Sequence, residues 1–154
     1  MLKMSKLTDY GTMVLAFLAA NPTRMQSASD VARDTHLALP TVSKLLKLMT
    51  RTGLVVSARG AHGGYRLSRA PEEISAADVI DALEGPVAIT QCSGSVGHCE
   101  LEDVCGVSSS WQKINVAIRR ALDGVHLPHL AAAEFRMPPI KLMGIPITQE
   151  IDRR

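Results

Sequence analysis

The sequence predicts a mostly α-helical fold that carries one small β-hairpin. Three observations support this fold class. Apolar residues recur at helical spacing in five segments of the chain. Between residues 54 and 67, two β-rich stretches flank a glycine-rich turn. No apolar run approaches the roughly 20 residues that a membrane span requires, and the length of 154 residues suits one modest domain or a small domain with an appended element.

The first three helices are recognised by their ends. The first is predicted over residues 7–20 and stops at Asn21-Pro22. The second starts at Ser27-Ala-Ser-Asp30, which resembles a capping box with Asp in the Glu position. The third begins near Pro40 and ends at Gly53. Because a tight turn joins the second and third helices, they form a helix-turn-helix candidate.

A β-hairpin is predicted directly after the third helix, in the stretch LVVSARGAHGGYRLSR of residues 54–69. Its glycines let the backbone approach another surface closely, and Arg59 lies at the tip. Three helices followed by a hairpin is the order of a winged helix, which we assign to residues 1–70. A glycine loop could instead hold a nucleotide phosphate, but this loop lacks the phosphate-binding combination of a preceding strand and a following Gly-Lys-Ser/Thr element.

The polar side of the third helix carries short hydroxyls near its N-terminus and cations along its length. Such a side can approach a DNA major groove and bind the flanking phosphates, and Arg59 is placed like a wing arginine that enters a minor groove. The alternative is an ordinary amphipathic helix with a solvated basic side. The candidate DNA-binding residues are Pro40, Thr41, Ser43, Lys44, Lys47, Arg51 and Arg59.

Charge is divided unequally along the chain. Residues 1–70 hold ten Lys and Arg against three Asp, a net charge of +7, whereas residues 71–154 hold seven cations against twelve carboxylates, a net charge of −5. A basic half indicates a phosphate-bearing partner, and an acidic half indicates that nucleic acid does not contact that part. We therefore expect double-stranded DNA to bind the N-terminal half.

The C-terminal half begins with residues 71–91, predicted as a connecting helix and strand. A long helix follows within residues 107–125, and its apolar stripe is too large for so small a chain to bury against its own helices. Pairing with the same helix of a second subunit would bury the stripe, so we expect a homodimer. Prolines interrupt residues 126–154, which we expect to form a mostly irregular tail. The stripe consists of Trp111, Ile114, Ile118, Leu122 and Val125.

All three cysteines, Cys92, Cys99 and Cys105, fall within fourteen residues, in a loop assigned to 92–106. Three cysteines cannot form a closed disulfide set, and the start of the chain shows a helical pattern in place of a secretory signal. We therefore expect a reducing, cytoplasmic location. Converging thiolates favour a metal or iron-sulfur centre, with redox sensing or inert thiols as alternatives. The spacing Cys-x6-Cys-x5-Cys is not that of structural zinc sites and leaves a fourth ligand to be found.

In chain order, these features resemble the IscR and NsrR type of winged-helix iron-sulfur transcription regulators, and most closely the branch that regulates SUF-system iron-sulfur cluster assembly. The resemblance spans most of residues 1–125. It implies a homodimeric bacterial regulator whose operator binding is controlled by a cluster, with repression the commoner sign. The matching segments, besides the cysteines, are KLTDYG at 6–11, LPTVSKLLKLM at 39–49, GLVVSARGAHGGYRL at 53–67 and EISAADVIDALEGP at 73–86.

The resemblance also implies a set of cluster ligands. The three cysteines match the thiolate ligands of the family, but the first gap is x6 where the IscR pattern has x5, and Ser108 stands where that pattern has a histidine. Asp9 matches an N-terminal Asp that NsrR-like members supply from the partner subunit, and we favour it as fourth ligand. The alternatives are His98, Ser108 and an exogenous ligand. We expect a 2Fe-2S rather than a 4Fe-4S cluster.

Two other functions fit parts of the sequence. A regulator that senses nitric oxide or redox stress would share the fold and the cluster and differ only in its signal. A zinc-stabilised protein-interaction module would use the three cysteines and His98 as ligands, and would be colourless and indifferent to oxygen. An enzyme with a small-molecule substrate is disfavoured, because no Ser/His/Asp or paired-carboxylate arrangement stands out and the five histidines are dispersed.

Overall fold

A computed structural model describes residues 4–60, 62–90, 105–131, 141–142 and 145–146 of the chain. The predicted fold class is confirmed, because helices dominate and one antiparallel hairpin follows the third helix. None of the helices described is long and apolar enough to cross a membrane. The helices are α1 (Lys6–Ala19), α2 (Ala28–Thr35), α3 (Leu39–Arg51), α4 (Ala76–Leu83), α5 (Ser108–Asp123) and α6 (Leu127–Ala131). The strands are β1 (Val55–Ala58), β2 (Gly64–Leu67), β3 (Lys141–Leu142) and β4 (Ile145–Pro146), and a 3-10 turn spans Pro71–Glu73.

Local hydrogen bonds and backbone geometry define both ends of α2 and the start of α3. Ser27 caps α2, because its hydroxyl oxygen accepts the Asp30 N–H at 3.1 Å. His36 ends the helix in the left-handed region, with φ 57°. The chain then enters α3, where Pro40 occupies the first turn. The predicted helix-turn-helix is therefore present.

The apolar side of α3 lies at the centre of one hydrophobic core. Its four buried side chains have no solvent exposure, and they share this core with residues of α1, α2, α4 and the hairpin. Burying a side chain of this size contributes about 1.5 to 3 kcal/mol. The core therefore fixes the rotation of α3 about its own axis. The four residues are Val42, Leu45, Leu46 and Met49.

The hairpin is joined by a third segment that sequence analysis missed. β1 and β2 pair antiparallel from Val55 with Leu67 to Ala58 with Gly64. Gln26, which precedes α2, exchanges two backbone hydrogen bonds with Tyr65, of 2.9 and 2.8 Å. The wing is thereby tied to the helix-turn-helix.

The start of α4 is a full capping box. The Ser75 hydroxyl accepts the Asp78 N–H at 3.1 Å, and the Asp78 carboxylate accepts the Ser75 N–H at 2.9 Å and pairs with Arg69 at 3.0 Å. Partial burial acts to raise the pKa of Asp78, but the hydrogen bonds from Ser75 and the charge of Arg69 outweigh it, so that the pKa lies below its ordinary value. The N–H groups of Ser75 and Asp78 at this helix start are thereby satisfied locally.

Glu84, at the end of α4, caps the start of α1 across 79 residues of sequence. One of its carboxylate oxygens accepts the Ser5 N–H at 2.9 Å and also accepts the Thr8 hydroxyl. The hydrogen bonds from Thr8 and Ser5 lower the pKa of Glu84. The Ser5 side chain makes no cap of its own, so the exposed carboxylate of Glu84 replaces a local cap.

Two expectations for the C-terminal half are corrected. Residues 84–90 form turns and irregular backbone where we predicted a strand, because Val87 bonds to side chains instead of a neighbouring strand. Within the tail that we predicted to be mostly irregular, residues 127–131 form α6. Leu127 is fully buried, its N–H donates to the Ile74 carbonyl at 2.8 Å, and α6 packs against α1.

Gly64 provides a test of how the wing is attached. Its φ is +150°, and a Cβ there would lie 2.6 Å from the Gln26 carbonyl oxygen. We expect Gly64→Ala to lower the free energy of unfolding by about 3 kcal/mol or more, because a backbone clash adds to the cost of the positive φ. Chemical denaturation monitored by circular dichroism measures this change.

Gly60→Ala is the matched control for this substitution. Gly60 also has a positive φ, +111°, but nothing lies within 4 Å of an added Cβ. Only conformational strain remains there, so we expect a loss of about 1 kcal/mol. Equal losses at the two positions would contradict the role of the Gln26 contact.

Glu84 gives a prediction about pH. Its folded-state pKa is depressed below 4.5, so its stabilising contribution is present above that value and is lost as pH falls through the folded-state pKa. We expect Glu84→Gln to be less stable than wild type at pH 7. That difference should begin to close below pH 4.5 and vanish once the wild-type carboxyl is protonated. Thermal melts across this range measure it, with the exposed Glu72→Gln as a control that should show no such convergence.

Candidate functional site

One side of α3 forms a continuous basic surface, which we call the α3 basic face. Its residues are spaced three or four apart and line a single shallow depression. Because the opposite side of the helix is buried, this face points to solvent. Five of the seven candidate DNA-binding residues are thereby brought together. The α3 basic face consists of Pro40, Ser43, Lys44, Lys47 and Arg51, with Leu48 at its floor.

The cations of the α3 basic face are available to a ligand. Lys44, Lys47 and Arg51 are exposed, and no carboxylate in the described ranges lies within 4.0 Å of any of them. On the neighbouring helix, by contrast, Arg33 pairs with Asp30 at 3.0 Å and with Asp34 at 2.8 Å. Unpaired cations along a helix can neutralise phosphates without first breaking internal ion pairs.

The start of α3 adds to this positive character. Ala38 provides no side-chain cap, and the first turn contains no acidic residue. The free N–H groups and the helix dipole therefore favour an anion near Pro40. Thr41 is half-buried in this turn. A phosphate oxygen can thus bind at the end of the helix as well as along its side.

Arg59 lies exposed at the tip of the hairpin, separate from the α3 basic face. It follows β1 directly and precedes Gly60. The pairing of Gln26 with Tyr65, close to the turn, holds this hairpin against the helix-turn-helix. The structure therefore presents Arg59 on a short, anchored wing.

The candidate cluster ligands are only partly within the described residues. Cys105 is a half-buried free thiol just before α5, and its carbonyl accepts the N–H of the half-buried Ser108 at 3.3 Å. Asp9 is exposed in the first turn of α1. Across the described ranges, no three His, Cys, Asp or Glu side chains form a group that could hold a metal ion. Cys92, Cys99 and His98 lie outside the described residues.

The apolar stripe of α5 remains partly open in the single chain. Trp111 and Ile114 retain 38% and 44% of their solvent exposure, and the other three stripe residues are half-buried. Val107 and Val116 are also exposed on or beside this helix. The expectation that this chain does not bury the stripe by itself therefore agrees with the structure. The half-buried members are Ile118, Leu122 and Val125.

A polar cluster that sequence analysis missed holds α5 against α4. Asp81 accepts the Arg119 guanidinium at 2.7 Å and the Val87 N–H at 3.0 Å. The buried Asn115 donates to the Val87 carbonyl at 3.1 Å. The hydrogen bond that Arg119 donates to Asp81 raises the pKa of Arg119, so the guanidinium stays charged. The spacing of Asn115 and Arg119, four apart on the helix, was the one available signal.

A helix-turn-helix with an exposed cationic third helix and an anchored wing defines a winged-helix, DNA-binding regulator of transcription. Comparison with known proteins makes this assignment more specific. The chain belongs to the Rrf2 family, described as an iron-dependent transcriptional regulator, whose family model matches residues 4–133. It is therefore a regulator and not an enzyme, as its sequence predicted.

Individual relatives agree with this assignment. NsrR, an HTH-type transcriptional regulator of Bacillus licheniformis, is 32% identical over 124 residues, which cover 79% of this chain and 87% of NsrR. The structure of CymR, the global cysteine regulator of B. subtilis, is 31% identical and superimposes with a TM-score of 0.65, covering 85% of this chain and 97% of CymR. IscR of T. potens is 30% identical with a TM-score of 0.60, covering 82% and 84%.

These relatives confirm the resemblance to the IscR and NsrR type. One of them is nevertheless named as a cysteine regulator. Family membership therefore establishes the fold and the regulatory class of this chain, and the signal has to be argued from its own residues.

The α3 basic face gives a prediction about salt. Lys47 lies near its middle and is exposed, so we assign it a phosphate contact. Lys47→Ala should weaken binding to duplexes of any sequence and reduce the slope of log K against log salt by about 0.9. Fluorescence anisotropy with a labelled duplex at several salt concentrations measures the slope.

Lys113→Ala is the control, because Lys113 is also an exposed lysine but lies on α5. It should leave the slope unchanged. If both substitutions change the slope equally, net charge rather than a contact on α3 governs binding.

Proposed function

We propose that this chain is a homodimeric transcription regulator whose operator binding is controlled by an iron-sulfur cluster, and that it regulates, most often by repression, the genes of SUF-type cluster assembly. The observation that carries the proposal is the position of the cysteines. The segment from Cys92 to Cys105 leads without interruption into α5. Thiolates on that segment are therefore connected through the backbone to α5, the helix whose exposed apolar stripe is available to a second subunit.

The donor chemistry fits a cluster. Three thiolates are the ligands that iron-sulfur centres take, and Cys105 is a free, half-buried thiol just before a helix start. Cys92, Cys99 and Cys105 would hold the cluster, which when bound supplies a centre that responds to oxygen, iron supply or reactive nitrogen. Asp9 of a second subunit is our fourth ligand, because its carboxylate is exposed on α1. His98, Ser108 and an exogenous ligand remain the alternatives, and 2Fe-2S is the expected type.

The DNA contacts follow from the geometry of the winged helix. We assign Pro40, Thr41, Ser43 and Lys44, in the first half of α3, to base edges and phosphates of the major groove. Lys47 and Arg51, further along the same side, bind phosphates. Arg59, on the wing, enters the adjacent minor groove. The exposure of Lys44, Lys47 and Arg51, and the distance of more than 4.0 Å to any described carboxylate, support the phosphate contacts.

A second copy of the chain is the proposed occupant of the α5 stripe. Trp111 and Ile114 are large and exposed, and an isologous contact would bury both on each subunit. Such a dimer presents two α3 helices to DNA, with half-sites about 34 Å apart or a multiple of that. The homodimer therefore connects the cysteine segment to the spacing of the two recognition helices.

A second candidate keeps the DNA interface and changes the signal. CymR, a structural relative, is named for cysteine, and Cys105 is a free thiol. In this candidate, the cysteines respond directly to redox stress and no cluster is bound. A sensor of nitric oxide that retains the cluster is a variant of the leading proposal.

Anaerobic purification followed by iron and sulfide analysis tests the leading proposal. We expect a coloured, oxygen-sensitive protein that contains both elements, because three thiolates and one oxygen ligand satisfy a cluster. The loaded protein is then used to select binding sites from a pool of random duplexes. The selected sequence should occur upstream of cluster-assembly genes. Colourless, zinc-loaded protein indifferent to oxygen would instead indicate a zinc module, and metal-free protein would indicate the thiol-based candidate.

Three variants refine this test. Cys99→Ala should remove the visible absorbance while leaving a folded dimer, and Val96→Ala, in the same segment, is its control, which should keep the absorbance because valine cannot ligate iron. Asp9→Ala should alter the spectrum or the oxygen lability. A full spectrum in Cys99→Ala would show that the ligand set is wrong, and an unchanged spectrum and lability in Asp9→Ala would remove that residue from it.

A further inference from the structure

We propose that Asp81, Asn115 and Arg119 form a clamp on Val87 that transmits the state of the cysteine segment to the recognition helix α3. The three residues are positioning residues, since they contact neither a cluster nor DNA in this scheme. The inference rests on the proposed function, because it assigns the route by which a cluster would control DNA binding. We call these three side chains the Val87 clamp.

Both backbone polar groups of Val87, which precedes the cysteine segment, are hydrogen-bonded to side chains. The Val87 N–H donates to Asp81 at 3.0 Å, and the Val87 carbonyl accepts from Asn115 at 3.1 Å. Val87 lies five residues before Cys92. A displacement of the chain that reaches Val87 therefore acts on α4 through Asp81 and on α5 through Asn115.

The exit of the same segment is attached to the same helix. Cys105 bonds through its carbonyl to the N–H of Ser108, the first residue of α5. Asn115 and Arg119 follow on this helix, four residues apart and therefore on one side of it. Val87, before the cysteine segment, thus contacts α5, and Ser108, after the segment, begins α5; Arg119 connects α5 to Asp81 at 2.7 Å.

From α4, the connection to DNA runs through packed side chains. Val79, Ala82 and Leu83 of α4 belong to the same core as the apolar side of α3, and the two helices are in contact. Close-packed interiors transmit displacement, since they have little free volume to absorb it. A shift of α4 therefore displaces α3, and with it changes the distance between the α3 basic faces of two subunits.

The Val87 clamp is better suited to positioning α5 than to stabilising the fold. The side chains of Arg119 and Asp81 keep 41% and 29% of their exposure, so their ion pair contributes no more than about 1 kcal/mol to stability. Directional hydrogen bonds nevertheless define one position of α5 against α4. Loss of the clamp should therefore change the coupling between sites without unfolding the protein.

The test measures coupling rather than binding alone. Operator affinity is determined for cluster-loaded and cluster-free protein, and the ratio of the two dissociation constants is the coupling factor, expected at about 5- to 150-fold for wild type. In Arg119→Gln and Asp81→Asn we expect this factor to fall at least fivefold, toward one. The visible spectrum should be unchanged, and hydrogen exchange at the Val87 amide should accelerate in Asp81→Ala, which removes the acceptor that Asp81→Asn would keep.

Two controls separate the clamp from general effects. Arg120→Gln removes the neighbouring charge on α5, where the exposed Arg120 forms no ion pair with a described carboxylate, and should keep the wild-type factor. Arg119→Lys keeps the charge and should restore most of the coupling. A double-mutant cycle of Arg119→Gln with Asp81→Asn should give non-additive losses.

Two failures can be told apart. If the wild-type factor is large and Arg119→Gln retains it within about twofold, the clamp is overturned and the proposed function stands. If wild-type protein binds no cluster, or if its factor is one, the proposed function fails and the clamp falls with it. Loss of the visible spectrum in Arg119→Gln would assign Arg119 to cluster assembly instead of coupling, which also overturns the proposal.

Discussion

Burial of the apolar side of α3 is the constraint on which the rest of the described structure depends. Four large side chains of this helix are inaccessible to water, and rotating the helix would expose several of them at about 1.5 to 3 kcal/mol each. The polar side consequently has one possible direction. The same burial that stabilises the core therefore aligns Lys44, Lys47 and Arg51 for contact with phosphates.

The middle of α5 and the residues that follow the helix are held by different physical means. Just beyond its C-terminal end, Leu127 of α6 enters the core and pairs with the backbone of Ile74. At its middle, polar atoms of Asn115 and Arg119 make the contact with the rest of the chain. Apolar burial is non-directional and costly to undo, whereas the half-exposed ion pair of Arg119 with Asp81 exchanges readily with water. The contact of α5 through Arg119 is therefore easier to displace than the burial of Leu127.

Whether a feature could be predicted from the sequence depended on how far apart in the chain its interacting residues lie. The limits of α1 and α3, the start of α2, the hairpin and the α3 basic face follow local rules of capping, turns and periodicity, and these were predicted. The pairing of Gln26 with Tyr65, the Glu84 cap and the contact of Asp81 with Arg119 join residues 38 to 79 apart in sequence. A single residue that closes such a contact leaves no periodic pattern, so a single sequence could not reveal these contacts.

The division of charge limits how any signal can reach DNA. The cysteine segment carries Glu100, Glu102 and Asp103 and belongs to the half with a net charge of −5, whereas the half with the DNA-binding surface has +7. An acidic segment is repelled by phosphates. A centre bound there, as we propose, would therefore act on DNA from a distance. The 16 residues of α5 extend about 24 Å, so a change at the cysteines has to pass through protein contacts to be felt at the operator.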